Sequence, residues 1–333
     1  MTYEKYDYGA RKSSIKYRCL LTKLSDFVPR ITWTPHFMFT LWRALCKTNN
    51  SGGVDMKKII VTADDFGMCR YVNNAIIDLV DFGTLTSTNV LTNMYALDDI
   101  EKLKNRSNVS VGIHWNITSG KPVSNPEEIP TLVDGDGRFH SLVKFKKLVR
   151  LRKISKADIE KELRAQYLRF YESYGKTASY WNTHENSSHV KVVFDICCKL
   201  GVEYHIPATR VFDRVYLDFD QVSGMLRKMR EYLVRTILHN RYKGIRKNFK
   251  MPDGRLVAFS NKIKLDIERN RKAILSSKCS TIEMVIHPAT QLDEKLFGNI
   301  GEDRIMEYKL YITKEMYDLL HNEEIQTSNF EQL

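Results

Sequence analysis

The feature that most limits the fold is a regular alternation of short apolar runs and amphipathic stretches, which begins at residue 56. Some runs are short and rich in β-branched residues, as buried strands are: Ile59–Val61, Thr86–Leu91, Val109–Ile113 and Thr281–Ile286. The stretches between them space their apolar residues as helices do: Asn73–Asp81, Leu97–Leu103, Ile159–Tyr174 and Val192–Leu200. Because parallel strands need a crossover connection, this alternation predicts an α/β fold with a largely parallel sheet, open or closed into a barrel.

Glycines mark the points where several of these helices should end. Gly83, Gly175 and Gly201 each follow the last apolar residue of a helical pattern. Helices often end on a residue in the left-handed conformation, which glycine adopts without steric cost. We therefore expect a helix to stop at each of the three.

Carboxylates and imidazoles follow the predicted strands at the point where each strand ends. Asp64 and Asp65 follow the first strand, His114 follows Val109–Ile113, and His287 follows the last strand. His184 lies in the loop after Ser179-Tyr180-Trp181. In parallel α/β folds the functional residues gather at the carboxyl ends of the strands, so we expect these side chains to share one rim.

Each of these residues taken alone has a structural explanation. An Asp pair after a strand is often the N-cap of the next helix, and a single His is more often a packed core or surface residue. Four strand ends that deliver such groups to one edge favour a metal hydrolase instead. One Asp and two His can hold a divalent ion with open positions, and a second Asp is then free to act as a base.

Residues 1–55 differ from the rest of the chain, because they are basic and aromatic and end in the polar stretch Asn49–Gly53. Three interpretations remain open: an appended interaction segment, an amphipathic membrane-surface helix around Phe37–Leu45, or a start codon placed too far upstream. Met56 lies where a compact α/β domain would begin. We therefore divide the chain into an N-terminal extension, 1–55, and one catalytic domain, 56–333.

The net charge of +12 comes from 52 basic and 40 acidic residues, and the basic residues crowd three stretches: the N-terminal segment, Lys144–Arg169 and Arg227–Lys250. Solvated helix faces explain such runs, and attraction to an anionic membrane or glycan is the alternative. Nucleic acid is not expected as a partner, because no recognised binding motif accompanies the charge. The six cysteines form no CxxC pair, no apolar stretch reaches spanning length and no secretory signal is evident, so we expect a cytoplasmic protein.

Several motifs of the chain occur together in the order typical of one known family. They are Val61–Gly67, Gly83–Thr88, Val111–Pro122, Leu132–Phe139, Glu162–Gln166, Pro252–Gly254, Ile286–Pro288 and the helix with Arg304 and Glu307. On these motifs, residues 56 to about 330 resemble the YdjC-like carbohydrate deacetylases, which include chitooligosaccharide (diacetylchitobiose) deacetylase. The resemblance implies a distorted β/α-barrel, similar to a TIM barrel, and metal-dependent removal of an acetyl group from an N-acetylated sugar.

The resemblance also implies roles for particular residues. Asp65, His114 and His184 match the metal ligands, Asp64 matches the neighbouring catalytic carboxylate, and His287 matches the late His-Pro histidine. The matching motifs supply three candidate substrate-binding residues: Asn116, Asp253 and Arg304. Magnesium is the metal that the resemblance favours, and the Asp/His set also accommodates zinc or manganese.

One segment departs from the family pattern. The family usually has an Asp two residues before the second ligand His, and this chain has Asn182 there. The histidines that usually follow are reduced to His189, for which a surface position at a helix start is the preferred interpretation. The departure affects the groups around the metal and the substrate preference more than metal binding itself.

The residue types fit amide hydrolysis. A divalent ion polarises the carbonyl and lowers the pKa of its bound water, which is the nucleophile, and Asp64 takes the proton of that water. His287 is a candidate proton donor to the leaving amine, and orientation of the ligands or the substrate is the alternative role for it. For Arg304 and Glu307, one helical turn apart, an intrahelical ion pair is the simplest interpretation, and a sugar or subunit contact is the alternative.

Two other functions stay open at this stage. One is a metal hydrolase that acts on another bond, such as a phosphoester. The other is a non-catalytic sugar-binding descendant, docked to a membrane or to partner enzymes by its basic N-terminal segment. The sequence leaves homodimer formation and the choice of sugar undecided.

Overall fold

A curled parallel sheet forms the centre of the protein. The computed structural model describes residues 56–211, 214–216, 236–257 and 266–333, so the predictions made for residues 1–55 fall outside the described residues. The strands are β1 (Lys57–Phe66), β2 (Ser87–Val90), β3 (Ser110–Trp115), β4 (Tyr180–Thr183), β5 (Ala208–Thr209), β6 (Arg214–Tyr216), β7 (Gly254–Val257), β8 (Thr281–Ile286) and β9 (Ile325–Thr327).

The strand order is β5-β4-β3-β2-β1-β8-β7-β6, and every neighbouring pair is parallel. β9 adds to the start of β1, where Ile325 pairs with Lys57. Helices connect the strands, as parallel pairing requires. The predicted distorted β/α-barrel is confirmed, with β1 as its central strand.

The helices are α1 (Arg70–Phe82), α2 (Leu142–Arg150), α3 (Lys156–Tyr174), α4 (Lys191–Glu203), α5 (Ile267–Ser276), α6 (Glu294–Phe297), α7 (Gly301–Tyr311) and α8 (Lys314–Leu320). Residues 236–243 are also helical. The predicted helix Leu97–Leu103 is a 3₁₀ helix. Within the described ranges, no helix combines the length and the apolar character needed to cross a membrane.

The glycine prediction is correct for two helices and wrong for the third. Gly83 and Gly175 both have the left-handed conformation and end α1 and α3. α4 instead continues through Gly201 to Glu203. A Cβ at Gly201 would lie 2.9 Å from the Phe249 ring and from Trp181 Nε1, so close packing explains this glycine.

The strands β1 to β4 are buried on both faces of the sheet. The last eight residues of β1 are all buried, and helices cover the outer face through one large apolar cluster. On the inner face Tyr180 stacks on Phe330 with ring centroids 3.7 Å apart, beside Ile60 and Ala208. These four side chains form a small apolar cluster on that face of the sheet.

Candidate metal centre at the carboxyl ends of the strands

A pocket of about 310 Å³ opens at the carboxyl edge of the sheet. Its lining residues are Asp64, Asp65, His114, Thr183, His184, Glu185, Asn186, Arg210, Arg255, Val285, His287, Ile300 and Arg304. The strand ends therefore bring together all five groups that the sequence placed on one rim: Asp64, Asp65, His114, His184 and His287.

The backbone at the end of β1 separates the two adjacent carboxylates. Asp65 has φ of 74°, in the left-handed region, which Asp tolerates better than most residues. Gly67 follows at φ of 94°, and a Cβ there would lie 2.7 Å from the Leu91 carbonyl oxygen. The Asp-Asp-Phe-Gly sequence thus makes a tight turn in which the two carboxylates meet different partners.

Asp65 belongs to what we call the histidine half of the pocket, which consists of Asp65, His114, His184 and Arg304. Asp65 Oδ1 lies 3.0 Å from His184 Nδ1 and 3.4 Å from His114 Nε2. Asp65 Oδ2 accepts a hydrogen bond of 2.5 Å from Arg304 Nη2. Burial tends to raise the pKa of Asp65, but the His184 and Arg304 charges outweigh it and hold this pKa well below its usual value.

The histidine half fits a divalent metal ion. One carboxylate oxygen and one ring nitrogen from each of His114 and His184 lie within 4.8 Å of one another. Burial lowers the pKa of His184, and the nearby Asp65 carboxylate more than compensates, so this pKa is raised overall. A carboxylate with two imidazoles leaves positions open for water and substrate, as catalytic metal sites do.

Asp64 belongs to the arginine half, which consists of Asp64, Asn89, Arg210 and Glu283. Arg210 Nη1 and Nη2 donate to the two Asp64 carboxylate oxygens at 2.7 and 2.6 Å. Asn89 Nδ2 donates to Asp64 Oδ1 at 2.6 Å. Burial favours the protonated acid, but the Arg210 charge and hydrogen bonds hold the pKa of Asp64 far below its usual value. Asp64 is therefore ionised at neutral pH.

Arg210 is itself fixed by a second buried carboxylate. Its Nε donates to Glu283 Oε1 at 2.9 Å, and both side chains are almost completely buried. Removing the guanidinium from such a pair would leave two buried carboxylates without their cation, which is strongly unfavourable. The arginine half is thus a closed ionic network that orients Asp64.

His287 follows β8 and lies above the arginine half. Its Nε2 is 3.8 Å from Asp64 Oδ2. Burial lowers the pKa of His287 to about 4, although Asp64 and Asp65 favour its charged form, so the ring is neutral at pH 7. Glu307 of α7 accepts a 2.6 Å hydrogen bond from the His287 backbone N–H, and burial raises the pKa of Glu307 well above its usual value.

The predicted ion pair between Arg304 and Glu307 is wrong. Both lie within the described residues, and Arg304 pairs with Asp65 while Glu307 accepts from the His287 backbone. Arg304 therefore lines the pocket, as expected of a substrate-binding candidate.

The structure does not bring the other two substrate-binding candidates to the pocket. Asn116 is fully buried, and its amide holds a loop together by accepting from the Thr118 and Ser119 backbone and donating to the Ser119 carbonyl. Asp253 precedes β7 and accepts from the Thr281 backbone at the start of β8, so it lies at the amino edge of the sheet. His189 ends the 3₁₀ segment His184–His189 and lies outside the pocket lining.

Sequence reasoning missed the arginine half apart from Asp64. Arg210 follows a strand of only two residues, too short to show any periodicity. Glu283 carried a usable signal, because a charged residue inside the apolar run Thr281–Ile286 must find a buried partner. Asn89, within the fully buried β2, carried a similar but weaker signal.

Comparison with known proteins gives one family. The sequence profile described as "YdjC-like protein" matches residues 58–322. A carbohydrate deacetylase of Halalkalibacterium halodurans is 28% identical over 256 residues, which cover 76% of this chain and 94% of that protein. A carbohydrate deacetylase of Danio rerio is 30% identical over 154 residues, or 46% of this chain. This chain therefore spans about half of the length of the Danio rerio protein (49%).

A solved structure from Enterococcus faecalis, described as a candidate cellobiose-phosphate cleavage protein, has a similar fold. Its TM-score is 0.63, and the match covers 83% of this chain and 98% of that one at 23% identity. This likeness supports the barrel architecture alone.

Proposed function

The chain belongs to the YdjC-like protein family, and from that premise we propose that it is a metal-dependent hydrolase that removes an acetyl group from an N-acetylated sugar. Relatives that align over most of their length are named carbohydrate deacetylases. The substrate proposed is a saccharide of the chitooligosaccharide type. Residues 56–333 form the catalytic domain in this proposal, with 1–55 as an extension.

The observation that carries the proposal is that two adjacent carboxylates in one pocket have different partners. Asp65 lies with two histidines whose ring nitrogens are suited to a divalent ion. Asp64 is held by Arg210 and Asn89 instead, so it remains available as a base. Amide hydrolysis needs both a group that holds an electrophilic metal and a separate base.

We assign the metal to Asp65, His114 and His184, with magnesium favoured and manganese or zinc compatible. When bound, such an ion polarises the substrate carbonyl and lowers the pKa of water. Asp64 accepts the proton of the attacking water, and Arg210 orients its carboxylate toward that role. Arg304 lines the pocket beside Asp65, which supports a role in substrate binding.

We assign the proton for the leaving amine to His287. Because its ring is neutral at pH 7, it cannot begin the reaction as an imidazolium. Its Nε2 lies beside the Asp64 oxygen, so the proton that Asp64 takes from water passes to His287 and then to the departing nitrogen. Glu307 holds the His287 backbone in place for this transfer.

Acetate release tests the proposal. We expect the purified protein to release acetate from N-acetylglucosamine oligosaccharides, to stop after chelation, and to resume when Mg²⁺ or Mn²⁺ is added. Parallel assays with a phosphoester substrate distinguish another hydrolase. A protein that binds metal but releases no acetate from N-acetylated sugars would refute the proposal. The cytoplasmic location rests on cysteine usage and is part of the same proposal.

A further inference from the structure

Asn182 of β4 occupies the space between the two halves of the pocket. Its side-chain amide lies 2.5 Å from His114 Nδ1 on one side. On the other side it lies 2.9 Å from Arg210 Nη1 and 2.9 Å from Asn89 Nδ2. Asn182 is buried, with 3% of its surface exposed, so water cannot take the place of these partners.

The neighbours decide which way this amide points. A carboxamide offers an acceptor oxygen and a donor nitrogen, whereas Arg210 and the Asn89 nitrogen can only donate. If the Asn182 nitrogen faced them, donors would meet donors in a buried site. The orientation that satisfies every group places the Asn182 oxygen toward Arg210 and Asn89, and its nitrogen toward His114 Nδ1.

This orientation has a consequence for His114. A ring nitrogen that accepts from the Asn182 amide carries no proton, so the proton of the neutral ring lies on the other nitrogen, Nε2. His114 Nε2 lies 3.4 Å from Asp65 Oδ1. His114 Nε2 is also the ring nitrogen that faces the proposed metal ligands, and a protonated nitrogen cannot bind a metal.

We propose that Asn182 is a positioning residue that holds His114 in the tautomer unable to bind metal, and so lowers the metal affinity of this site. To bind metal through Nε2, the His114 proton must move to Nδ1, and the Asn182 amide must rotate to accept it. Rotation turns the Asn182 nitrogen against Arg210 and Asn89 and breaks the hydrogen bonds that they donate. A carboxylate at position 182 would accept from both sides without this conflict.

This inference rests on the metal site of the proposed function, and its test uses no sugar. In Asn182→Asp, both carboxylate oxygens accept, so His114 Nδ1 can keep a proton while Nε2 binds metal. Changes to groups that hold a ligating His typically alter metal affinity 10- to 100-fold. We therefore expect Asn182→Asp to bind Mn²⁺ about 10- to 100-fold more tightly than the unaltered protein, measured by loss of the free Mn²⁺ EPR signal.

Asn186→Asp is the matched control for added charge. Asn186 also lines the pocket, but it is not a hydrogen-bond partner of His114. It has a left-handed backbone that Asp tolerates as well as Asn does. We expect Asn186→Asp to change the Mn²⁺ affinity less than about threefold, because Asn186 is only half-buried and its side-chain oxygen already accepts from Arg255, whose positive charge offsets the added negative charge.

The tautomer is measured directly in the metal-free protein by ¹⁵N-histidine NMR, with His114 assigned through His114→Gln. We expect the proton on Nε2 in the unaltered protein and on Nδ1 in Asn182→Asp. A proton on Nδ1 in the unaltered protein overturns the inference. The inference is also overturned if Asn182→Asp and Asn186→Asp increase the Mn²⁺ affinity equally, or if Asn182→Asp does not increase it. If the tautomers and Mn²⁺ affinities are as expected but the protein releases no acetate, the proposed function is refuted and this inference is not.

Discussion

The two halves of the pocket hold carboxylates that are adjacent in the sequence but bound to different partners. In the arginine half, a guanidinium and two carboxylates form a buried network, with Arg210 between Asp64 and Glu283. In the histidine half, Asp65 faces two imidazoles whose nitrogens lie at ligand spacing. The difference teaches that the partners of each Asp depend on the strands and helices that surround it. Asp65 has a left-handed backbone where the pairing of β1 with β2 is irregular, and both carboxylates line the same pocket.

The largest effect should come from the histidine half. We expect His184→Ala to abolish metal binding and acetate release while leaving the fold intact, because His184 lies in the loop after β4 and not in the apolar core. His189→Ala is the matched control, since His189 lies in the same segment but outside the pocket lining. Metal content by elemental analysis checks the prediction. Full metal occupancy in His184→Ala would show that the ligands are wrongly assigned.

A substitution in the arginine half should mainly lower the free energy of unfolding. Arg210→Met leaves Asp64 and Glu283 buried without their cation, so we expect a loss of about 3–5 kcal/mol in the free energy of unfolding. Arg106→Met removes a surface pair with Asp81 and should cost at most about 1 kcal/mol. Urea unfolding measures both. Equal losses in the two variants would mean that the buried network contributes no more than a surface pair.

His287 should make the metal-free protein sensitive to mild acid. Its pKa is about 4 in the folded protein against 6.5 for the free side chain, so between these values the unfolded state binds more protons. Stability should therefore fall as the pH is lowered from 6.5 to 4, by at most about 3 kcal/mol. We expect His287→Gln to remove this part of the slope in pH-dependent urea unfolding. An unchanged slope would show that His287 titrates normally.

The smallest effect should come from removing residues 1–55. The strand β1 that carries Asp64 and Asp65 begins at Lys57, downstream of that segment. We expect a shortened protein beginning at Met56 to fold, as judged by circular dichroism and thermal unfolding, and to keep its acetate release. Insoluble protein would show that the segment contributes to the core.

The sequence predicts the histidine half better than the arginine half. Asp65, His114 and His184 follow strands or loops whose apolar runs are long enough to recognise, and the carboxyl ends of parallel strands share one edge. Arg210 follows a strand of two residues, so no periodic signal locates it. The resemblance of the motif Pro252–Gly254 to the family suggests Asp253 as a substrate-binding residue, but a motif does not show which edge of the sheet its residues occupy, and Asp253 lies at the amino edge.

Packing explains the remaining differences. Gly201 has the sequence context of a helix end, yet the approach of Phe249 and Trp181 is what requires a glycine there. Arg304 and Glu307 have the spacing of an intrahelical pair. Arg304 instead donates to Asp65 of β1, and Glu307 accepts from the His287 backbone after β8. The Arg304 partner lies 239 positions away along the chain, and Phe249 lies 48 positions from Gly201, so the local sequence cannot reveal these contacts.

The central claim is that Asp64 and Asp65 have separate roles, and acetate release at varied metal concentration tests it most directly. We expect Asp64→Asn to bind metal normally and to lower turnover by about 10²–10⁴ at every metal concentration, because the base is lost. We expect Asp65→Asn to bind metal weakly and to recover activity as metal is added. Recovery by added metal in Asp64→Asn but not in Asp65→Asn would contradict the account by reversing the two roles.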